Sequence, residues 1–295
     1  MSASGAKGPE IKGWCPGAYR PMTSGDGLVV RVRPWLGEVS AAQVRTLCDV
    51  AERFGIGALE LTNRTNVQIR GVAAADHDAV IAALLQSGLL DDDPAQEARR
   101  NLVMTPDWRT GGQTHAIAEN LMRLLPSLPE LPQKFGYAVD TGPVSWLSQA
   151  PADIRVERCD AGDLILVADG AAAGRRVDAA DMMDAVEEMV AWFVDTGGRK
   201  AGRMARHIRT CPLPENWVQV SRRAPASTQS DFGTLIGAPF GQVDPQALRQ
   251  LIADDTKALR ILPGRTFLAV DHHGDTPETL CAPDDPCLDI HTCTG

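Results

Sequence analysis

Two stretches far apart in this chain carry the same pattern. GEVSAAQVRTL at 37–47 and GQVDPQALRQL at 241–251 align without a gap, and Gly, Val, Arg and the final Leu coincide. Each stretch has a helix-capping residue at the same place, Ser40 in the first and Asp244 in the second. An internal repeat of this kind constrains the fold more than the amino-acid composition does, because both copies are expected to form the same structural unit.

The match continues downstream of these stretches. LELTNRT at 59–65 aligns with LRILPGRT at 259–266 if one residue is inserted, and VQIRGV then aligns with FLAV. This alignment places Arg64 and Arg265 in related positions. A helix start followed by a strand, recurring in the same order, predicts two copies of one half-domain.

Hydrophobic periodicity predicts the elements of the first copy. GLVVRVRPW at 27–35 alternates as a strand does, and a helix is predicted to begin after Ser40 and to end at Gly55. The stretch 58–72 is predicted to form a strand pair or one long bent strand, and 76–88 a second helix. Strand, helix, strand and helix in so short a span favour a small α+β sandwich.

The middle of the chain shows the same mixture of elements. Helices are predicted in 114–128 and, with the clearest amphipathic pattern, in 178–197. LPQKFGYAVD at 131–140 alternates into a strand, and 153–170 is typical of a β-hairpin. The whole chain is therefore predicted to be α+β.

The stretch LTNRTNVQIRG at 61–71 alternates polar and apolar residues. Its donors fall at every second position: Arg64, Asn66, Gln68 and Arg70. A strand would place these side chains on one face at about 7 Å intervals. Guanidinium groups bind carboxylates in a bidentate fork, and amides add neutral donors, so a large polycarboxylate suits this row.

Two alternatives to a polycarboxylate ligand stay open at this point. Phosphate is one, but the chain has no Gly-rich phosphate loop with a lysine and no G-x-G-x-x-G after a strand. The other is an ordinary strand face turned to solvent.

Charge and hydropathy limit the partners and the compartment. The net charge of −9 argues against binding to nucleic acid. The chain has no apolar run long enough to span a membrane, and its first residues lack the apolar core of a signal peptide. These features predict a cytoplasmic protein with no nucleic-acid or membrane partner.

Three motifs in order carry a resemblance to a known family. TNRTNVQIRG resembles the T-x-R-x-N-x-Q-x-R strand of the sirohaem-dependent nitrite and sulfite reductase superfamily, in which duplicated half-domains are also found. RRNLVMTP at 99–106 is similar to its second signature, and LPQKF at 131–135 to its third. With CPGAYRPMTSGDGLVVRVRP near the start, these motifs most resemble the precorrin-3B synthase branch, from about residue 12 onward.

This resemblance implies a set of tetrapyrrole-binding residues. They are Arg64, Asn66, Gln68, Arg70, Arg100, Asn101 and Lys134. Where the reductases carry a second lysine after L-P-x-K-F, this chain has Gly136. The missing cation favours the synthase branch, in which the tetrapyrrole is the substrate and not the cofactor.

The reaction implied by the resemblance is an oxygen-dependent hydroxylation of precorrin-3A at C-20 with lactone formation. The catalytic residues are not identified by it. Implied cofactors are a 4Fe–4S cluster, NADH as reductant, O2 as co-substrate and a non-haem iron, and the electron donor is not specified. Two alternatives are a sirohaem-dependent sulfite or nitrite reductase and a non-catalytic tetrapyrrole-binding protein.

The cysteines near the end of the chain match only part of the family pattern. Cys293 corresponds to the first 4Fe–4S ligand, and the expected partner cysteines do not follow, so the chain is expected to be truncated and the cluster incomplete. Cys281 and Cys287 lie upstream of that strand. They are expected to be free or solvent-exposed thiols and not cluster ligands.

The resemblance also implies a domain order, with duplicated ferredoxin-like half-domains around a sirohaem-type α+β domain. The predicted segments are an N-terminal arm at 1–26, the first half-domain at 27–90, an incomplete tetrapyrrole and 4Fe–4S-type domain at 91–225, the second half-domain at 226–280, and the start of a cluster-binding segment at 281–295.

Overall fold

The computed structural model of the protein describes residues 16–224, 230–253 and 256–290, and it confirms the α+β class. The strands are β1 Met22–Ser24, β2 Gly27–Val32, β3 Glu38–Ser40, β4 Leu59–Leu61, β5 Val67–Val72, β6 Leu102–Met104, β7 Tyr137–Asp140, β8 Ile154–Arg158, β9 Leu164–Ala168, β10 Ala173–Arg176, β11 Val220–Ser221, β12 Gly233–Gly237, β13 Gln242–Val243, β14 Ala258–Leu262 and β15 Thr266–Val270. The helices are α1 Ala41–Phe54, α2 His77–Gln86, α3 Pro94–Arg99, α4 Gln113–Leu124, α5 Met182–Asp195, α6 Gly198–Ala201, α7 Met204–His207 and α8 Pro245–Ala253.

Two antiparallel sheets exchange a strand between the two copies of the repeat. One sheet has the order β1-β2-β5-β4-β13, and another has the order β12-β15-β14-β3. Thus β13 of the second copy pairs with β4 of the first, while β3 of the first pairs with β14 of the second. Each half-domain is completed by the other, so the two copies share one hydrophobic core.

Strand registers correct the predicted alignment of the two copies. Leu59 pairs with Ile69, and Leu259 pairs with Ala269, so both hairpin connections have the same length and no residue is inserted. Thr65 and Arg265 therefore correspond, and both have positive φ, at 55° and 62°. The predicted equivalence of Arg64 and Arg265 is wrong by one residue.

Helix α1 forms as its sequence predicts and packs against its repeat partner α8. The Ser40 Oγ accepts a hydrogen bond from the Gln43 N–H, and the Gln43 Oε1 accepts one from the Ser40 N–H, so the two residues form a capping box. Val44, Leu47 and Cys48 are buried on one face, at helical spacing. This face covers the apolar side of the exchanged sheets.

The third sheet has six strands in the order β11-β10-β9-β8-β7-β6. β6, β7 and β8 are parallel, and the predicted hairpin forms as β8 and β9 with five paired positions from Ile154–Ala168 to Arg158–Leu164. Helices α4 and α5, both predicted, bury their apolar faces in a second core with this sheet. The loop before β7 carries the L-P-x-K-F motif.

The predicted N-terminal arm is partly regular. Within 1–26, residues Met22–Ser24 form β1, which pairs with β2 from Met22–Val29 to Ser24–Gly27. Among the residues that the structure describes, no helix is both long enough and apolar enough to cross a membrane.

Candidate functional site

LTNRTNVQIRG folds as a tight turn followed by a strand, not as one continuous strand. Residues 62–66 connect β4 to β5. The Thr62 Oγ1 accepts hydrogen bonds from the N–H groups of Arg64 and Asn66, at 3.3 and 3.2 Å. Of the four predicted donors, Arg64 and Asn66 therefore lie on the turn, and Gln68 and Arg70 lie on β5.

Gln68 joins an acidic and a basic side chain across three strands. Its Oε1 accepts hydrogen bonds from the Arg31 Nε and Nη2, at 3.2 and 2.7 Å. Its Nε2 donates to the Glu60 Oε2 at 3.0 Å. Since Arg31 pairs with Gln68 and Glu60 pairs with Gln68 in the sheet register, the three side chains share one face.

Arg70 is buried and binds two carboxylates of the protein. Its Nε and Nη2 lie 2.9 and 3.1 Å from the two Asp26 oxygens, and its Nη1 lies 3.3 Å from the Glu60 Oε1. The hydrogen bonds from Arg70 hold the pKa of the Asp26 carboxyl below its usual value. The guanidinium predicted to bind ligand carboxylates thus forms a bidentate pair within the sheet.

Arg64 reaches from the turn to the loop that carries Lys134. Its Nη1 donates to the Lys134 carbonyl oxygen at 2.9 Å. The Asn101 Nδ2 donates to the carbonyl oxygens of Gln133 and Phe135, both at 3.2 Å, and so fixes the same loop. The structure therefore brings together one residue from each of the three sequence motifs.

Gly136 is buried and packs closely against the backbone of Asn101 at this junction. A Cβ placed on Gly136 would lie 3.1 Å from the Asn101 carbonyl oxygen and 3.9 Å from the Arg64 Nη1. The Gly136 N–H donates to the Asp153 Oδ2 at 3.0 Å. A side chain at this position would start beside the Arg64 guanidinium, which is where the resemblance to the reductases implies a second lysine.

Arg100 does not face an open site, because it belongs to a buried ionic cluster. Its Nη2 lies 2.6 Å from the Glu97 Oε2, and the Arg33 Nη1 lies 3.6 Å from the Glu97 Oε1. The Arg33 Nε donates to the Asn101 Oδ1 at 3.3 Å. Burial raises the pKa of the Glu97 carboxyl, while the nearby Arg100 and Arg33 act to lower it. This cluster positions Asn101 and, through it, the Lys134 loop.

The sequence interpretation missed several charged residues that contact the predicted site residues. They are Asp26, Arg31, Arg33, Glu60 and Glu97. A signal for two of them was present, since the alternation in VVRVRP predicts the same strand face for Arg31 and Arg33. Asp26 and Glu60 carry no such signal, because their partner Arg70 lies on another strand. Glu97 lies three residues before Arg100, a spacing at which side chains on a helix can pair, so this contact had a local signal.

Cys281 and Cys287 are free cysteines, as expected, but they are not fully exposed to solvent. Cys281 and Cys287 are half-buried, and their sulfur atoms lie 3.7 Å apart. Burial raises the pKa of the Cys281 thiol to about 12. Cys293, the predicted first cluster ligand, lies outside the described residues.

Comparisons with known proteins agree with this fold. The family described as nitrite/sulfite reductase ferredoxin-like half domain matches residues 20–87. The structure of Mycobacterium tuberculosis NirA superposes with a TM-score of 0.62 at 17% identity, over 85% of this chain and 54% of that chain. The fold is thus the α+β fold of that class, and the chain spans about half the length of the NirA structure.

Two curated proteins are similar to this chain at low identity. A precorrin-3B synthase from Sinorhizobium sp. is 28% identical over 96% of this chain and 69% of its own length. A ferredoxin–nitrite reductase from Leptolyngbya laminosa is 27% identical over 43% of this chain and 27% of its own length. The resemblance to the precorrin-3B synthase branch of the nitrite and sulfite reductase superfamily is therefore confirmed.

Proposed function

We propose that this chain binds a precorrin-type tetrapyrrole through its carboxylates, at the junction of the 62–66 turn and the 131–136 loop. The observation that carries the proposal is the contact of Arg64 with the Lys134 carbonyl, which places both cationic residues at one junction. Lys134 is exposed and Arg64 is half-buried, so this junction reaches solvent. A multiply charged ligand gains one charge-assisted contact at each of these groups.

The remaining predicted residues hold this junction in place. Asn101 fixes the Lys134 loop, and Arg100 with Glu97 fixes the segment that carries Asn101. Gln68 and Arg70 keep the polar face of the first sheet ordered through Glu60. We assign direct carboxylate binding to Arg64 and Lys134, and a positioning role to the others.

The finer proposal is the reaction implied by the synthase resemblance, the oxygen-dependent hydroxylation of precorrin-3A at C-20 with lactone formation. It is an oxidoreductase reaction of the monooxygenase type, with O2 and reducing equivalents from NADH. Within this proposal the residues of the chain bind and orient the tetrapyrrole. Consumption of precorrin-3A that depends on O2 would support it, and binding without turnover would favour a non-catalytic tetrapyrrole-binding protein.

The synthase resemblance also implies a 4Fe–4S cluster, with Cys293 at its first ligand position. Thiolate ligation of such a cluster needs four cysteines. Among residues 16–224, 230–253 and 256–290, only Cys281 and Cys287 bring two thiols together. This part of the chain does not provide a four-thiolate set, so the roles assigned to Arg64 and Lys134 do not depend on a cluster.

The nitrite and sulfite reductase alternative is less well supported. Gly136 stands where those enzymes are implied to carry a second lysine, so this position supplies no cation beside Arg64. The similarity to the Leptolyngbya laminosa enzyme covers 43% of this chain, against 96% for the precorrin-3B synthase. Both observations favour the synthase branch.

Replacing Arg64 or Lys134 by alanine should weaken tetrapyrrole binding. A hydrogen bond to a charged group contributes about 1.5–3 kcal/mol, so each substitution should raise the Kd about ten- to a hundredfold. Fluorescence titration of the wild-type chain and each variant with uroporphyrin, a soluble polycarboxylate tetrapyrrole, measures this change.

Arg123→Ala is the matched control, because Arg123 is an exposed arginine on α4 that pairs with Glu119 on the helix surface. Its Kd should stay within about twofold of the wild-type value, since surface ion pairs contribute little. Wild-type affinity in both the Arg64 and Lys134 variants would contradict the proposed site.

A further inference from the structure

The segment from Leu280 to Ile290 is fixed to the second half-domain. Gly237 and Cys281 exchange backbone hydrogen bonds of 2.8 and 3.0 Å, and the side chain of Leu280 is buried. The Arg265 Nη1 donates to the carbonyl oxygens of Leu288 and Ile290, at 3.2 and 2.5 Å. Side chains on this segment are therefore held at defined positions beside β12.

A short 3-10 helix brings Asp285 and Cys287 close to Cys281. Asp285 caps the helix Pro286–Asp289, and its Oδ1 accepts a hydrogen bond from the Cys287 N–H at 2.9 Å. The Cys287 sulfur lies 3.7 Å from the Cys281 sulfur. One ligand atom from each of Cys281, Asp285 and Cys287 lies within 4.8 Å of the other two, and all three residues are half-buried.

The distance between the two sulfur atoms fits a shared metal ion and not a disulfide. A disulfide requires about 2.05 Å between the sulfurs. Zinc–thiolate bonds of about 2.3 Å in tetrahedral geometry place two sulfurs about 3.8 Å apart. The observed 3.7 Å is close to that tetrahedral edge.

The residues around the two thiols allow the sulfur atoms to keep these positions. Gly237 packs directly against Cys281, and a Cβ at position 237 would lie 2.8 Å from the Cys281 sulfur. Any larger residue at position 237 would displace the Cys281 thiol, so glycine is required for its present position. Because the three residues are half-buried, an ion can enter from solvent, and a fourth ligand such as water can complete a tetrahedron.

We propose that Cys281, Asp285 and Cys287 form a binding site for a thiophilic divalent cation, with zinc as the expected ion. Two thiolates select a soft or borderline metal over magnesium or calcium, and a carboxylate oxygen is a regular third zinc ligand. The ion would tie the Cys281 strand position to the Cys287 helix. The three ligands are different residues from those assigned to the tetrapyrrole junction.

Cobalt(II) titration of the reduced, full-length chain under anaerobic conditions tests the site. We expect one equivalent to bind with a thiolate-to-cobalt charge-transfer band, and zinc to displace it. Cys281→Ser and Cys287→Ser should each reduce the band and weaken zinc binding by more than about a hundredfold. Mutation of residues that only hydrogen-bond to metal ligands already lowers metal affinity about ten- to a hundredfold. Cys211→Ser is the matched control and should bind as the wild type does, because Cys211 is a half-buried free cysteine elsewhere.

Two further variants keep the result interpretable. Asp285→Asn retains a helix-capping side chain and both thiols, so it tests the third ligand without removing the cap, and it should weaken zinc binding at least tenfold. Cys293→Ser should retain the one-equivalent band. The proposal is overturned if no band forms, if Cys281→Ser or Cys287→Ser binds as the wild type does while folded by circular dichroism, or if Cys293→Ser alone abolishes binding.

Discussion

Replacing Glu97 by glutamine should lower the free energy of unfolding by about 3 kcal/mol or more. The Glu97 side chain is buried, and it is the carboxylate shared by Arg100 at 2.6 Å and Arg33 at 3.6 Å. Removing one partner of a buried ion pair costs about 3–5 kcal/mol, because the remaining charge is left in a poorly solvated place. Here two arginines would lose their counter-charge.

Urea-induced unfolding followed by circular dichroism measures this loss. Glu119→Gln is the matched control, since Glu119 pairs with the exposed Arg123 on the surface of α4. Its free energy of unfolding should change by less than about 1 kcal/mol. Equal stability of the Glu97 and Glu119 variants would show that the buried cluster does not hold Asn101 and the Lys134 loop as described.

Asp153→Asn should be the second severe substitution, with a loss of about 3 kcal/mol. The Asp153 side chain is fully buried, and its Oδ1 accepts hydrogen bonds from the Arg203 Nε at 2.9 Å and the Met204 N–H at 2.8 Å. Its Oδ2 accepts one from the Gly136 N–H at 3.0 Å. An asparagine has only one acceptor oxygen, so its NH2 group must face an N–H donor. An unsatisfied buried donor costs about 1–3 kcal/mol, and the Arg203 charge loses its partner as well.

Asp163→Asn provides the comparison for this substitution. Asp163 forms an ion pair with Arg176 at 2.8 Å, and both side chains are about half exposed. Its replacement should leave the unfolding midpoint nearly unchanged. If Asp153→Asn unfolds at the same urea concentration as Asp163→Asn, the anchoring of Gly136 by Asp153 has no measurable effect.

Local signals in the sequence were sufficient for several elements. Ser40 and Gln43 form the capping box that the start of α1 indicates, and the amphipathic pattern of 178–197 becomes α5 at Met182–Asp195. These features depend on residues within one or two turns of each other, so the sequence contains all of their determinants. The repeat was also visible, because it is a property of the sequence itself.

Features that depend on distant partners were not predictable in the same way. One local feature was missed as well, because alternation alone predicted a strand at Arg64, whereas the Thr62 hydroxyl accepts hydrogen bonds from the N–H groups of residues 64 and 66 and forms a turn. Arg70 was predicted to bind ligand carboxylates, but its guanidinium binds Asp26, which is remote in sequence. The exchange of β3 and β13 between the half-domains likewise depends on tertiary contacts and has no local sequence signal.

Fluorescence titration with two related porphyrins tests the tetrapyrrole site most directly. Uroporphyrin carries an acetate and a propionate on every pyrrole ring, and coproporphyrin has a methyl group in place of each acetate. If Arg64 and Lys134 bind ligand carboxylates, uroporphyrin should bind at least about tenfold more tightly, and the difference should shrink as salt screens the charges. Equal affinities that do not respond to salt would contradict a carboxylate-binding site at this junction.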